Sequence, residues 1–260
     1  MRGVVIMWKK WLKDCADLQI PVYAANACYF LALSIFPALL LILAALRYTP
    51  LSALDLIRFL EGILPGALMG AAESLIVSTY YNSSGMVLGI SAIAALWAAS
   101  RGIHGLLTGL NRIYGVQEDR GWLYTRLISV LYTFVFLLLV IGTLVFQVFG
   151  EMLSLRLFLD LRGTWLLGVQ ILVFDLIYMF LPNRHNRFLP SLPGAVSTAL
   201  LWQLISRGFS LYVGHTARRD TNIYGSVYTV AIGLLWVYWC VCILLFGGLL
   251  NRLLQPTNAS

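Results

Sequence analysis

Charge is what this sequence has least of. Lysine, arginine, aspartate and glutamate together make up 11% of its 260 residues, while hydrophobic residues make up 60%, against roughly a quarter charged in an average soluble domain. A water-soluble globule of this size is excluded. Cysteine is nearly as scarce: Cys15, Cys28, Cys240 and Cys242 are the four, with no CxxC among them. The usual thiol-redox and zinc spacings are therefore missing. The three histidines, His104, His185 and His215, form no HxH or HExxH, so neither a metal site nor a cofactor is expected. No catalytic constellation of neighbouring acids and bases is visible, and an enzyme is not expected. In the first 20 residues lysines are followed by Asp14 and Asp17, with Pro21 next and no small-residue cleavage site. A first membrane span is therefore expected to stay attached.

What the sequence does have is long apolar runs. Six of them approach the 20 or so residues that a helix needs to cross a bilayer, at about 21–46, 85–110, 127–150, 164–181, 192–213 and 224–250. The expected fold class is an all-α integral membrane protein, with residues 1–260 forming a single polytopic membrane domain. With the N-terminus in the cytoplasm, Arg2, Lys9, Lys10, Lys13, Arg101, Arg112, Arg120, Arg126, Arg184, Arg187 and Arg252 fall inside. That is eleven of the 18 basic residues; six fall outside, where six acids balance them. This is the positive-inside pattern, so the net charge of +7 calls for no nucleic acid. The same topology puts the cysteines in the membrane or at its inner surface, where no disulfide framework is expected.

Residues 2–19 read as an interfacial amphipathic helix on the inner leaflet, with Trp8, Trp11 and Leu12 on one face and Lys9, Lys10 and Lys13 on the other. In the first span Pro37 removes a backbone hydrogen bond and frees the carbonyl of Leu33, which predicts a kink. The loop 47–84 is too polar to span and too apolar to be disordered. Ser52 and Asp55 form a capping pair, Asp55 and Arg58 share a face, Pro65-Gly66 stops that helix, and a second helix covers 67–79. This extracytoplasmic pair is either a lid over a site or a packed external cap. Gly85 and Gly89 open the second span with small residues that permit close helix contact.

Five side chains stand out as substrate-pathway candidates: Arg101, His104, Asp175, Gln203 and Arg207. Arg101, His104, Thr108 and Asn111 recur at three- and four-residue spacings, which makes a polar stripe on the inner half of the second span. Asp175 and Arg207 each put a full charge deep in an apolar run, at a cost of about 2.5 to 3.5 kcal/mol on insertion scales. Gln203, Arg207 and Ser210 share one face. A short basic turn, Pro182 to Arg187, makes the fourth and fifth spans antiparallel neighbours, so Arg207 is the expected partner of Asp175 and Arg101 the alternative.

The run Ala24-Ala-Asn-Ala-Cys-Tyr-Phe-Leu-Ala-Leu-Ser-Ile-Phe-Pro37, the segment Trp97-Ala-Ala-Ser-Arg101 with Leu110-Asn-Arg-Ile-Tyr-Gly115, Leu192-Pro-Gly-Ala195 with Trp202, and Ile223-Tyr-Gly-Ser226 through Trp236 to Phe246-Gly-Gly248 together resemble the YihY/BrkB family of bacterial inner-membrane proteins. The resemblance covers nearly the whole chain in the right order. It implies six helices with both termini cytoplasmic and a place in the bacterial inner membrane. It implies no activity, because that family has no settled biochemical function and carries an old label as a tRNA-processing ribonuclease, ribonuclease BN.

Three functions follow from these observations. If the five side chains converge, the cavity holds two fixed positive charges and one negative, suited to an anionic, headgroup-bearing amphiphile or lipid, and the chain is a transporter. If the same charges only fix helix packing, it is a structural scaffold of the envelope. A membrane-bound hydrolase would need a site that the residues do not display.

Overall fold

The computed structural model describes residues 17–46, 52–61, 64, 66–82, 85–121, 123–135, 162–184 and 186–255. The helices among them are α1 (Ile20–Leu46), α2 (Ala53–Glu61), α3 (Gly66–Asn82), α4 (Gly85–Tyr114), α5 (Leu123–Val135), α6 (Arg162–Phe180) and α7 (Phe188–Leu254). No strand occurs among the described residues. An apolar chain in lipid has no water for its backbone polar groups, and a helix satisfies them within the segment.

Close approach of α1 and α4 organises one side of the molecule. A Cβ added at Gly105 would lie 3.1 Å from the Cα of Ala27, and one at Gly102 would lie 2.6 Å from Cγ of Leu31. Glycine at these positions lets the two backbones meet. These glycines lie in the C-terminal half of α4, about four to five turns from the Gly85 and Gly89 pair. Further along, Gly109 faces Tyr23 and Leu245. The main core joins Ala24 and Ala27 of α1, Leu107, Leu110 and Ile113 of α4, Tyr178 of α6, and Leu245 and Leu249 of α7.

Helix α4 runs one turn beyond the expected residue 110. It ends where Gly115 adopts φ +69°, with the amide of Val116 donating to the Asn111 carbonyl at 2.9 Å and that of Gly115 to Arg112 at 3.3 Å. These are the two bonds of a Schellman cap, which favours glycine at the left-handed residue.

Helix α7 departs most from expectation. A turn over 214–222 was expected to separate two spans, yet helical backbone continues from Phe188 to Leu254. The segment holds alanine and arginine and no proline, so nothing in it forbids a helix. The run nevertheless doubles back, because the amide of Gly194 donates to Oδ1 of Asn251 at 2.7 Å. Those residues would be about 85 Å apart in a straight helix. Its two arms, Phe188–Val213 and Val230–Leu254, are the segments among the described residues long and apolar enough to cross a membrane.

A smaller cluster joins Leu43 at the end of α1 to Leu56, Ile57 and Phe59 of α2 and Ile76 of α3. The expected cap opens α2: the amide and hydroxyl of Ser52 each donate to Oδ2 of Asp55 at 2.7 Å, and the amide of Asp55 donates back to Ser52 Oγ at 3.4 Å. Arg58 Nη1 lies 3.8 Å from Oδ1 of Asp55, one turn along. Pro37 sits inside α1, which continues past it to Leu46. Most of the interfacial helix expected over 2–19 lies outside the described residues, as does the expected third span beyond Val135. Gln19, at φ +51°, marks a turn just before α1.

Candidate functional site

Between α6 and the two arms of α7 lies a buried polar network. Tyr178 is wholly buried, its hydroxyl 2.7 Å from both Thr198 Oγ1 on the first arm and the Leu244 carbonyl on the second. Glycine makes room for this contact, since a Cβ at Gly247 would overlap Thr198 Oγ1 and the Tyr178 hydroxyl. Asn251, also wholly buried, accepts from the Gly194 amide and donates to the Ser191 carbonyl at 2.8 Å. One amide side chain thus clamps the end of the second arm onto the first turn of the first. Buried polar atoms matched in this way hold helices in one register.

Asp175 belongs to this network and is fully buried. Its Oδ1 lies 2.5 Å from Ser191 Oγ, while its buried Oδ2 has no hydrogen-bond partner among the described residues. The expected pairing with Arg207 is therefore wrong, and so is the alternative with Arg101. Helix α7 begins at Phe188, so Ser191 comes level with Asp175. Arg207 lies 16 residues further along, roughly 24 Å up the helix, and is exposed. The short turn does make the two helices neighbours, but the register it imposes sets Ser191 and not Arg207 beside Asp175.

Gln203 donates through Nε2 to Oε1 of Gln170 at 3.1 Å, tying the first arm to α6 at another level. Nearby, Trp202 packs against Phe174 and edge-on against Trp236, whose Nε1 donates to Ser206 Oγ at 3.1 Å. Gln170, Ser191 and Asn251 were not singled out from sequence. A lone polar residue in an apolar run is their only signal, and many residues share it.

The stripe on α4 divides. Arg101 and His104 are exposed, one turn apart, and Thr108 turns its hydroxyl back to the His104 carbonyl at 2.8 Å. The Arg101 guanidinium lies 5.3 Å from the Phe30 ring and 5.4 Å from the Trp97 ring. Arg126 of α5 approaches the same indole at 6.0 Å and donates to the Trp97 carbonyl at 3.2 Å. Two guanidiniums therefore share one tryptophan, and no carboxylate among the described residues pairs with either. Asn111, the last residue of the stripe, is buried and serves another purpose. Its Oδ1 accepts from the Asn183 amide and its Nδ2 donates to Glu118, each at 2.7 Å, while Asn183 Nδ2 donates to Asp119 at 2.5 Å. Arg120 is bidentate on Glu118, which draws the carboxyl below its usual range. The turn after α4 is thereby latched to the turn after α6.

The five candidates thus fall into separate places: Arg101 with His104 and Arg126, Asp175 with Ser191, Gln203 with Gln170, and Arg207 exposed and, among the described residues, with none of the others. This sequence matches the family described as virulence factor BrkB over residues 12–259. The chain belongs to the BrkB family. It is 31% identical over 245 residues to the ribonuclease-like protein YfkH of Bacillus subtilis, covering 89% of each chain. It is 26% identical over 270 residues to a UPF0761 membrane protein of Pseudoalteromonas translucida, covering 96% of this chain and 86% of that one. A UPF0761 membrane protein of Alteromonas mediterranea is 27% identical over 252 residues, covering 92% of this chain and 84% of its own. No solved structure matches. The BrkB-family chain is thus a membrane protein, and the segments that carried the resemblance have structural roles. Trp97 to Arg101 forms the shared-indole patch, Leu192 to Ala195 supplies the amide that Asn251 holds, and Phe246 to Gly248 makes room for Tyr178.

Proposed function

We propose that this protein moves an anionic, headgroup-bearing amphiphile across the bacterial inner membrane, as one domain of six spans with both termini in the cytoplasm. The observation that carries the reading is the patch formed by Arg101 and Arg126 on Trp97. A guanidinium stacked on an aromatic face keeps its N–H donors at its edge, free for phosphate or carboxylate oxygens. His104 adds a further donor one turn along. Two such groups without an acid attract an anion, and the surrounding rings and exposed apolar surface suit the tail attached to it. Arg207 and Gln203 lie apart from this patch and would act, if on the same path, at another stage of it.

Reconstitution tests the proposal. Proteoliposomes holding acyl-labelled fluorescent phosphatidylglycerol in both leaflets, bleached from outside with dithionite, should lose more than the outer-leaflet half of their signal. The Arg101→Gln, Arg126→Gln double variant should slow that extra loss several-fold. Bleaching that stops at the outer leaflet, as in protein-free vesicles, defeats the reading. Reporter fusions after Arg187 and Arg252 should both read cytoplasmic, supporting the charge asymmetry behind the topology.

A scaffold role is the second reading, and the buried network favours it. Asp175, Tyr178, Gln203 and Asn251 are engaged in bonds between helices, as groups that fix packing would be. The ribonuclease-like name belongs to the Bacillus relative. Hydrolysis by this chain would need a second acid or base in contact with Asp175, whose hydrogen-bond partner is Ser191.

A further inference from the structure

The hydrogen-bond arithmetic around Asp175 does not close for a carboxylate. Ser191 Oγ lies 2.5 Å from Asp175 Oδ1, 3.0 Å from the Phe188 carbonyl and 3.1 Å from the Arg187 carbonyl. A serine hydroxyl has one proton to donate, and its lone pairs accept. If Asp175 is ionised, all three neighbours are acceptors competing for that proton. The second oxygen would then carry its share of the negative charge fully buried, with no donor and no paired cation among the described residues. The charged and titratable groups around it offer no relief. Tyr178, one turn along α6, is committed to Thr198 and Leu244. Asn251 of α7 directs its Nδ2 to the Ser191 carbonyl. From α4 comes Tyr114, whose buried hydroxyl lies beside the Asn251 side chain without closing a hydrogen bond of good geometry, and beyond its ring stands the guanidinium of Arg184 at 5.8 Å.

A protonated carboxyl closes the arithmetic. Its Oδ1–H donates to Ser191 Oγ, whose own proton goes back to the Phe188 carbonyl, a common serine bond within helices. Oδ2 is then a neutral carbonyl oxygen, and an under-used carbonyl is tolerated where an unpaired carboxylate is not. We infer that Asp175 is a proton-binding site inside the membrane domain, and that its occupancy decides whether the Tyr114 hydroxyl is engaged. When the proton leaves to water, the carboxylate takes the Ser191 proton on Oδ1 and draws the Tyr114 O–H from beside Asn251 toward Oδ2. Because Tyr114 ends α4 while Ser191 carries the Asn251 clamp, proton release would tie α4 to α6 and the α7 arms. A proton-linked rearrangement of these helices is the consequence. It is separate from the Arg101 patch, and its test reads no flux.

Infrared spectroscopy of the full-length protein in lipid nanodiscs provides that test. At neutral pH the wild type should show a protonated-carboxyl C=O band that shifts on exchange into D2O and disappears in Asp175→Asn. That variant should fold, because its amide N–H can donate to Ser191 Oγ as the acid does. Ser191→Ala should move the band to higher frequency by removing the partner, which decides the matter even if Asp175→Asn does not fold. Tyr114→Phe should require a higher pH to discharge the band, since the proton-free state loses its donor. Absence of the band at neutral pH overturns the inference, as does a band indifferent to both Asp175→Asn and Ser191→Ala. A discharge pH unchanged in Tyr114→Phe removes the link to α4.

Discussion

The interface between α6 and α7 and the exposed flank of α4 both hold polar groups in an apolar chain, and they treat them in opposite ways. At the interface nearly every polar atom has a partner at 2.5 to 3.1 Å, and glycines clear the space for it. On the flank, Arg101, His104 and Arg126 are more open, and their charges meet aromatic faces and a carbonyl rather than acids. The difference follows from desolvation. A buried donor or acceptor left unmatched costs about 1–3 kcal/mol, so the interface has to be closed to exist. A guanidinium at the edge of the fold retains access to lipid headgroups or water and can wait for a ligand. The interface thus accounts for cohesion, with Asp175, Tyr114 and Trp202 the exceptions inside it, and the flank for recognition under the proposed function.

Substitutions can break this contrast. Asn251→Leu should have the largest effect, because it strands the Gly194 amide and the Ser191 carbonyl together, roughly 2–6 kcal/mol for two buried groups. Thermal unfolding in detergent should show a large fall in midpoint or no folded protein. An unchanged midpoint would mean that the clamp is not closed. Gly247→Ala should follow, at about 1–3 kcal/mol for overpacking against Tyr178 and Thr198. By contrast, the Arg101→Gln, Arg126→Gln pair should melt within a degree or two of wild type while losing its effect on phosphatidylglycerol movement, as substitutions away from the core usually stay within about 0.5 kcal/mol. A large loss of stability in that pair would move the flank into the structural class.

The smallest effect concerns the latch between the two turns. Arg120 holds the Glu118 carboxyl below its usual value of 4.5, so Glu118 contributes stability that is fully present above that value. That contribution is lost as pH falls through the lower, folded value. The protection of the Asn183 amide relative to its intrinsic exchange rate should therefore fall on acidification below the ordinary carboxylate range, and Glu118→Gln should abolish that pH dependence.

Local patterns in the sequence were legible where local physics decides them. The Ser52 and Asp55 cap, the helix after Pro65-Gly66 and the start of α4 at Gly85 all depend on residues within one turn of each other. The charged and amide residues buried in apolar runs were legible as unusual, because an intramembrane polar group is expensive wherever it sits. Their partners were not. Arg126 looked like one of several inner-surface arginines, yet it completes the Trp97 patch. Asp175 looked like the counter-ion of Arg207 because an ion pair is the simplest remedy for two buried charges. Helix register brought it a serine hydroxyl instead.

By itself, then, the sequence determined that this is a helical membrane protein of the BrkB family. Composition, hydrophobic run length and motif order act residue by residue along the chain and need no knowledge of what lies across from what. Only the tertiary structure decided that α7 folds back so that Asn251 meets Gly194 and Ser191, that Gly102 and Gly105 seat α1, and that Asp175 meets Ser191. Those pairings depend on helix start points and rotations, where a shift of one residue turns a side chain by about 100° and raises it 1.5 Å. Spacing along one strand of sequence cannot fix such offsets between two helices. Packing, which favours the register in which most buried donors find an acceptor, does.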